Sequence, residues 1–190
     1  MHSMLKSFVF NGMLVKDGLR ALSAEGIPLD SVSENSVVSR VEQLNYPLRI
    51  LEAAARMSSV FVVFFSMENS VRELITQRLS EKYGLNWWEE KIPQKIREKV
   101  NSLKDSEELH RYHTPRSSEL IGYTTFGHLA QIIIARWEDF EDLFPDQAWI
   151  NSRFSDMERS RNIIMHTGIL EEVEIERAEV IARDWIRQVG

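Results

Sequence analysis

The sequence predicts an all-α protein, a bundle of helices built around one long first helix. Only eight glycines and five prolines interrupt its 190 residues, and most of them fall between long segments whose apolar residues recur every three or four positions. No segment shows the strict two-residue alternation of a half-buried strand. Nine phenylalanines, five tryptophans and four tyrosines supply enough large side chains for a packed core.

Composition excludes several classes of protein. The chain has no cysteine, so it can form neither a disulfide framework nor a thiolate metal site. Its formal net charge is −6, whereas binding along duplex nucleic acid usually requires a strongly basic face. A role with nucleic acid therefore depends on a local basic site within an acidic protein.

Neither a membrane segment nor a signal peptide is expected. The longest uncharged apolar stretch in the body of the chain, 57–67, covers about half of the ~20 residues that cross a bilayer. The N-terminal MHSMLKSFVFNG has no small-residue cleavage site behind its apolar patch. We therefore expect a cytoplasmic protein.

The first 45 residues predict an arm that is separate from the main body. Residues 4–25 have a weak helical pattern interrupted by two glycines, and residues 26–45 are polar and turn-like, as a linker is. The chain is therefore divided into an N-terminal helical arm and linker, 1–45, and a helical-bundle domain, 46–190.

The bundle domain opens with its longest helix, predicted from Pro47 to a stop at Gly84, a residue that suits the position after a helix end. The residues that recur at three- and four-residue steps along it, and so predict its inward face, are Leu51, Ala54, Ala55, Ser58, Phe61, Val62, Phe65, Arg72, Ile75 and Leu79.

Capping residues, prolines and glycines mark the ends of the remaining helices. The predicted spans are a helix after a capping box of Asn86 and Glu89, one from Pro93 towards Leu109, one from Phe126 to Phe144 behind a cap at Thr124 or Thr125, one over 146–167, and one over 172–189 with Val173, Ala178, Ile181 and Trp185 inward.

Three short patterns admit a functional interpretation but favour a structural one. Glu107-x-x-His110, with His113 three residues on, is half of a di-iron carboxylate motif, but no second copy exists in the chain. We interpret it as a solvated helix end and predict no metal site. His128 is interpreted as a polar residue at a helix start. The pair Trp87–Trp88 is able to stack on bases, but its position after a helix start favours core anchors.

One helix carries an arginine at a core-facing position. On a wheel of 100° per residue, Arg161 falls in the middle of an apolar stripe, which consists of Ile150, Phe154, Met157, Ile164 and Met165. A buried guanidinium is costly unless it is paired. Glu68 on the long helix, one turn before Arg72, is a candidate partner, and we assign Glu68 and Arg72 to structural support. Geometry alone leaves open a purely structural role for Arg161.

The same helix carries a motif. Residues 161–166, RNIIMH, form an Arg-Asn-x-x-x-His sequence that resembles the Arg-x(4–6)-His signature of the HEPN superfamily, all-helical bundle proteins of which many are metal-independent ribonucleases and toxins. MENSVRELI in the long helix, the turn from Gly84 to Trp88, YTTFGHLAQII and RNIIMHTG look like the HEPN branch named after Swt1, over about residues 46–190. That branch has an acidic residue after the Phe-Gly of YTTFGHLAQII, where this chain has His128.

The resemblance implies a metal-independent endoribonuclease with no cofactor, because RNA supplies its own nucleophile, the 2′-hydroxyl. His166 would act as general base or acid. Arg161 would stabilise the phosphate oxygens through its planar guanidinium, and Asn162 would orient the phosphate or His166. Arg153 and Arg159 would contribute positive charge for RNA binding.

The resemblance also implies partners. Arg161 and His166 lie about 140° apart on a continuous helix, so one copy does not surround one phosphate. A homodimer that joins two motifs is expected, with RNA as substrate and an antitoxin protein as partner if the chain acts in a defence or toxin–antitoxin system. Two alternatives stay open: a non-catalytic HEPN-like dimerisation or adaptor module, in which Arg161 is a buried strut, and a helical bundle with no nucleic-acid role.

Overall fold

The computed structural model describes residues 46–190, and the predicted arm and linker, 1–45, lie outside them. Six α-helices follow in chain order: α1 (Leu48–Tyr83), α2 (Trp87–Lys91), α3 (Gln94–Glu108), α4 (Phe126–Ala135), α5 (Gln147–Met165) and α6 (Glu172–Val189). Two short 3-10 turns, Leu120–Tyr123 and Trp137–Asp139, complete the elements. The described residues contain no strand, and the prediction of an all-α bundle with a long first helix is confirmed.

The chain divides into two units between Ala55 and Arg56. The bundle is the second unit, Arg56–Gly190. Of the first unit, the structure describes residues 46–55, in which α1 begins at Leu48.

Among the described helices, α1 alone is long and apolar enough to cross a membrane by length and composition. The same helix contributes eight buried side chains to the protein, as the central helix of a bundle also does. The prediction that the chain has no membrane segment therefore stays a prediction.

The inward face of α1 differs from the predicted one. Its buried residues are Met57, Val60, Phe64, Met67, Glu68, Val71, Ile75 and Leu79. The predicted inward residues that are exposed instead are Ala54, Ala55, Ser58, Phe61, Val62 and Phe65. The segment VFVVFF is apolar on every face, so its periodicity does not distinguish the buried side from the exposed side.

An aromatic cluster joins α4, α5 and α6 and fixes the position of α5. The Phe154 ring of α5 packs edge-on against Phe126 of α4 at 5.8 Å and against Trp185 of α6 at 5.7 Å between ring centroids. Trp185 also donates from Nε1 to the Ser70 hydroxyl of α1 at 3.0 Å. These contacts hold α5 against α4 and α6, and they tie α6 to α1.

The helix α4 is shorter than predicted. The sequence placed its end at Phe144, but α4 ends at Ala135, and Arg136 has φ −115° and ψ 35°. Asp139 in the following 3-10 turn is buried and accepts hydrogen bonds from Arg136 Nε and from the Tyr83 hydroxyl, each at 2.9 Å. Since a buried carboxylate requires such donors, we attribute the early end of α4 to this cluster.

The structure confirms some predictions about the starts of α2 and α6 and contradicts others. Trp88 is buried and Trp87 packs against the core, which confirms both as core anchors. The predicted capping box at Asn86 is wrong: its side chain makes no capping hydrogen bond, and its φ of −89° and ψ of 10° are not the extended conformation that capping requires. Val173 is exposed in the first turn of α6, although the rest of the predicted inward face (Ala178, Ile181, Trp185) is buried.

Candidate functional site

Two arginines converge on one buried glutamate between α1 and α5. The Glu68 side chain is only 9% exposed. Its Oε1 lies 3.0 Å from Nη2 of Arg72, one turn further along α1, and its Oε2 lies 4.0 Å from Nε of Arg161 on α5. Burial raises the pKa of Glu68, and the two guanidinium groups oppose that rise. The carboxylate that the sequence proposed for Arg161 is therefore its neighbour in the fold.

The two arginines are held to different degrees. Arg72 is 16% exposed, and it donates to the Thr124 carbonyl at 2.6 Å and to the Asn69 amide oxygen at 3.0 Å. Arg161 is 27% exposed and donates to Oδ1 of its neighbour Asn162 at 3.3 Å. Arg72 is thus committed to the fold, whereas Arg161 retains accessible donors of the kind that bind phosphate.

The end of α5 forms a Schellman motif directly after the Arg-Asn-x-x-x-His sequence. The Gly168 N–H donates to the Ile163 carbonyl at 2.8 Å, and the Thr167 N–H donates to the Ile164 carbonyl at 2.9 Å. Thr167 consequently has a φ of 62°, which is rare for a β-branched residue. A Cβ on Gly168 would lie 2.6 Å from the Ile163 side chain, so this close approach requires glycine.

His166 is the C-terminal capping residue of α5 and directly precedes the left-handed Thr167. Its backbone leaves the helix with φ −100° and ψ 22°, and its side chain is exposed. Within residues 46–190, no hydrogen bond or ion pair engages the imidazole, and none joins it to Arg161. The Schellman motif therefore presents a histidine to solvent, five residues after an arginine that is anchored towards the core.

A second carboxylate links α5 to the start of α4. Glu158 Oε2 accepts a hydrogen bond from the Gly127 N–H at 2.8 Å, where the positive end of a helix favours negative charge. The neighbouring His128 Nδ1 accepts the Thr125 N–H at 3.4 Å in a capping box. Burial lowers the pKa of His128, against an opposing effect of Glu158. These contacts confirm His128 as a polar residue at a helix start.

The comparison with protein families decides the identity of this helical arrangement. The family model described as Swt1-like HEPN matches residues 63–190. The chain belongs to the Swt1-like HEPN family. The matched segment contains Glu68, Arg72, Glu158 and the whole motif at the end of α5. No curated protein and no solved structure matches the chain.

The family assignment confirms the resemblance recognised in the sequence and gives the bundle a HEPN-type fold. HEPN domains are often ribonucleases, commonly bind RNA and commonly act as dimers. The cluster around Glu68 and the exposed His166 are thus features of a fold that is often used for RNA cleavage.

The predicted RNA-binding arginines of this HEPN domain occupy different environments. Arg153 pairs with Asp184 of α6 at 2.9 Å, and its guanidinium lies 4.2 Å from the Trp149 ring centroid. Arg159 is exposed, and no hydrogen bond or ion pair involves it in the part of the chain that the structure describes. Arg159 is therefore the more available of the two cations for a ligand.

Large apolar side chains are exposed at the end of the HEPN bundle that carries the motif. This end is held together by the Leu170 N–H, which donates to Met57 Sδ at 3.3 Å, and by the 3.0 Å ion pair of Arg56 with Glu172. Exposed apolar groups in such numbers are typical of an interaction surface. They are Phe61, Val62 and Phe65 of α1 and Ile163, Met165 and Ile169 at the end of α5.

Sequence reasoning missed two residues of the site and misplaced one. Glu158 lies three residues before Arg161, a spacing that shares a helix face and was available as a signal. The left-handed Thr167 had no such signal, because the glycine beside it is the usual residue for that conformation. Met165 was assigned to the apolar stripe but is exposed, since the helix ends there.

Proposed function

We propose that the protein is a metal-independent endoribonuclease of HEPN type that cleaves RNA at a site formed between two copies of the chain. The observation that carries the proposal is the arrangement at the end of α5. There, Arg161 is anchored towards Glu68 with part of its guanidinium accessible, and His166 is exposed five residues later.

The chemistry needs three groups. A base removes the proton of the ribose 2′-hydroxyl, and the 2′-oxygen then attacks the adjacent phosphorus. The bond from phosphorus to the 5′-oxygen breaks, and an acid supplies a proton to that oxygen, which leaves a 2′,3′-cyclic phosphate and a 5′-hydroxyl. His166 provides the base or the acid and a water molecule takes the other role, and Arg161 stabilises the charge on the phosphate oxygens. Asn162 orients Arg161, to which its side chain is hydrogen-bonded.

A dimer is supported by the exposed apolar groups around the motif. Burying Phe61, Val62, Phe65 and their neighbours against a second copy removes apolar surface from water. Such an arrangement also brings two copies of the motif together, which a single helix end does not achieve.

A direct assay tests the proposal. The purified protein, in EDTA, should cut a single-stranded RNA oligonucleotide and leave a 2′,3′-cyclic phosphate. The same oligonucleotide with one 2′-deoxy sugar at the cleaved position should resist, because it lacks the nucleophile. His166→Ala should lose roughly 10²-fold or more of the rate, and Arg161→Lys should be poorly active because a point charge replaces a planar fork. Undiminished cleavage by His166→Ala, or loss of wild-type cleavage in EDTA, would overturn the mechanism.

We further propose a role in a defence or toxin–antitoxin system, with an antitoxin protein as partner. An RNA-cleaving protein without control would damage its own cell. Induced expression of the wild type should arrest growth, and expression of His166→Ala should not. Growth arrest by both proteins would contradict a toxic ribonuclease.

The adaptor alternative has one observation in its favour. Arg161 lies near Glu68, as a structural strut would. In that alternative, the wild type would not cleave RNA, and His166→Ala and Arg161→Lys would leave dimerisation, the function of the module, unchanged.

A further inference from the structure

A separate loop carries the chemistry of a nucleic-acid contact. The segment His110–Arg116, HRYHTPR, which we call the basic loop, contains two arginines, two histidines and one tyrosine but no acidic residue. It follows α3 and precedes the 3-10 turn Leu120–Tyr123. Glu107 and Glu108 precede the segment and Arg116 pairs with Glu107, so Arg111 is the arginine of the loop that is available to a phosphate.

The rings of His110, Tyr112 and His113 lie close together in the basic loop. Tyr112 is 81% exposed. Its ring lies 4.5 Å from the His113 ring and 6.0 Å from the His110 ring, with interplanar angles of 43° and 30°. An exposed tyrosine supported by neighbouring rings has low conformational freedom to lose, and its face is available to an unpaired base.

The C-terminal end of the basic loop is held in place by Glu107. The Glu107 carboxylate lies 2.6 Å from Arg116 Nε and accepts the Arg116 backbone N–H at 3.1 Å. These contacts lower the pKa of Glu107, led by the backbone hydrogen bond. Arg116 thus anchors the loop, whereas no hydrogen bond or ion pair engages the exposed Arg111 side chain within the described range, 46–190.

The contacts of the basic loop lead towards Arg72, the arginine that pairs with Glu68. The Tyr123 side chain contributes to the lowered pKa of Glu107, and the residue after Tyr123, Thr124, accepts a hydrogen bond from Arg72 at its carbonyl oxygen. A cleft of about 540 Å³ borders both Arg72 and Ser117, the residue after the loop. Glu73 and Glu119 also line the cleft, so the cleft itself disfavours phosphate.

We propose that the basic loop binds single-stranded RNA, with an unpaired base stacked on Tyr112 and a phosphate contacted by Arg111. This inference rests on the proposed function, since it names the element that holds the RNA strand outside the cleavage site. The recognised chemistry is an exposed base face next to a phosphate, which single-stranded RNA offers and a duplex does not.

RNA-binding measurements in a catalytically inactive variant test whether the basic loop binds RNA. In the full-length His166→Ala protein, a fluorescent single-stranded RNA should bind with a Kd at least about fivefold lower than that of the His166→Ala/Tyr112→Ala protein, the lower end of the loss expected for one base–aromatic stack. Tyr112→Phe should keep the affinity, because the ring remains. Arg111→Ala should weaken binding and reduce its salt dependence, whereas Lys95→Ala, an exposed cation at the start of α3, should do neither.

The outcomes separate this inference from the proposed function. If the wild type cleaves RNA while Tyr112→Ala leaves both Kd and KM unchanged, the loop inference is wrong and the ribonuclease stands. If the His166→Ala protein binds RNA through Tyr112 but the wild type does not cleave, the loop inference stands without the ribonuclease. Equal sensitivity of duplex and single-stranded RNA to Tyr112→Ala would overturn the stacking, and so would a Kd that is the same for all variants. An absence of RNA binding by every variant would also reject the loop.

Discussion

The Arg161 guanidinium approaches the Glu68 carboxylate to 4.0 Å, across the junction of α5 and α1. The approach is close enough for attraction but leaves more than a quarter of the arginine side chain exposed. Arg72 occupies the nearer position at 3.0 Å. Arg72 therefore neutralises the buried Glu68 carboxylate, and the charge of Arg161 remains available to a ligand.

Because Arg72 lies closer to Glu68 than Arg161 does, the loss of each arginine should affect stability to a different extent. Arg72→Ala should lower the free energy of unfolding by roughly 3–5 kcal/mol, because it removes the main partner of a buried carboxylate. Arg161→Ala should cost about 1 kcal/mol or less, as for a partly exposed pair. Arg159→Ala, on the same helix and exposed, is the matched control and should stay within about 0.5 kcal/mol. Urea unfolding measures all three, and equal losses for Arg72→Ala and Arg161→Ala would contradict this difference.

The sequence predicted much of this site because its signals are local. The helix of Arg161, its apolar partners Phe154 and Met157, and the candidate carboxylate Glu68 all follow from a 3.6-residue period. The nearer pairing with Arg72 depends on Thr124, which is distant in sequence and holds that guanidinium. The exposed face of α1 was mispredicted because a segment that is apolar all round carries no periodicity.

The left-handed backbone of Thr167 predicts a stabilising substitution. Thr167→Gly should raise the free energy of unfolding by about 1 kcal/mol, because glycine adopts a φ of 62° without a Cβ clash. Gly168→Ala should lower it by about 1–3 kcal/mol, because its Cβ would overlap the Ile163 side chain. Thermal unfolding of both variants measures the pair. A neutral Gly168→Ala would show that the close approach is not required.

The pKa of His128 should be low and should respond to Glu158. Burial lowers the pKa of this imidazole and Glu158 partly restores it, so an NMR titration should place the pKa of His128 below about 6.5. Glu158→Gln should lower it further. Since the unfolded chain binds the proton more readily, His128 contributes stability that is complete above about pH 6.5 and declines as the pH falls below that value.

His128→Gln gives the stability control for this titration. The variant should lose the part of the pH dependence of unfolding that His128 contributes below about pH 6.5. An increase in the pKa of His128 on Glu158→Gln would contradict the electrostatic contact.

Self-association is predicted from the apolar side chains near the motif. Light scattering at micromolar concentration should give twice the chain mass of 22.2 kDa. Phe65→Asp should yield a folded monomer, because Phe65 is 59% exposed and a charge there opposes burial against a second copy. Val180→Asp on α6, also exposed, is the matched control and should remain dimeric. A wild type of single-chain mass would reject the dimer.

In the proposed dimer, Arg161 and His166 of one catalytic pair come from different chains. Five residues of helix turn the two side chains about 140° apart, so we expect Arg161 of one copy to act with His166 of the other. Arg161→Ala and His166→Ala homodimers should both be nearly inactive. Heterodimers of the two variants, isolated through two different affinity tags, retain one intact arginine and one intact histidine on opposite chains. They should cleave RNA at least about tenfold faster than either homodimer if the pair acts in trans. If the pair acts within one chain, no intact pair survives, and heterodimers as slow as the homodimers would reject the composite site.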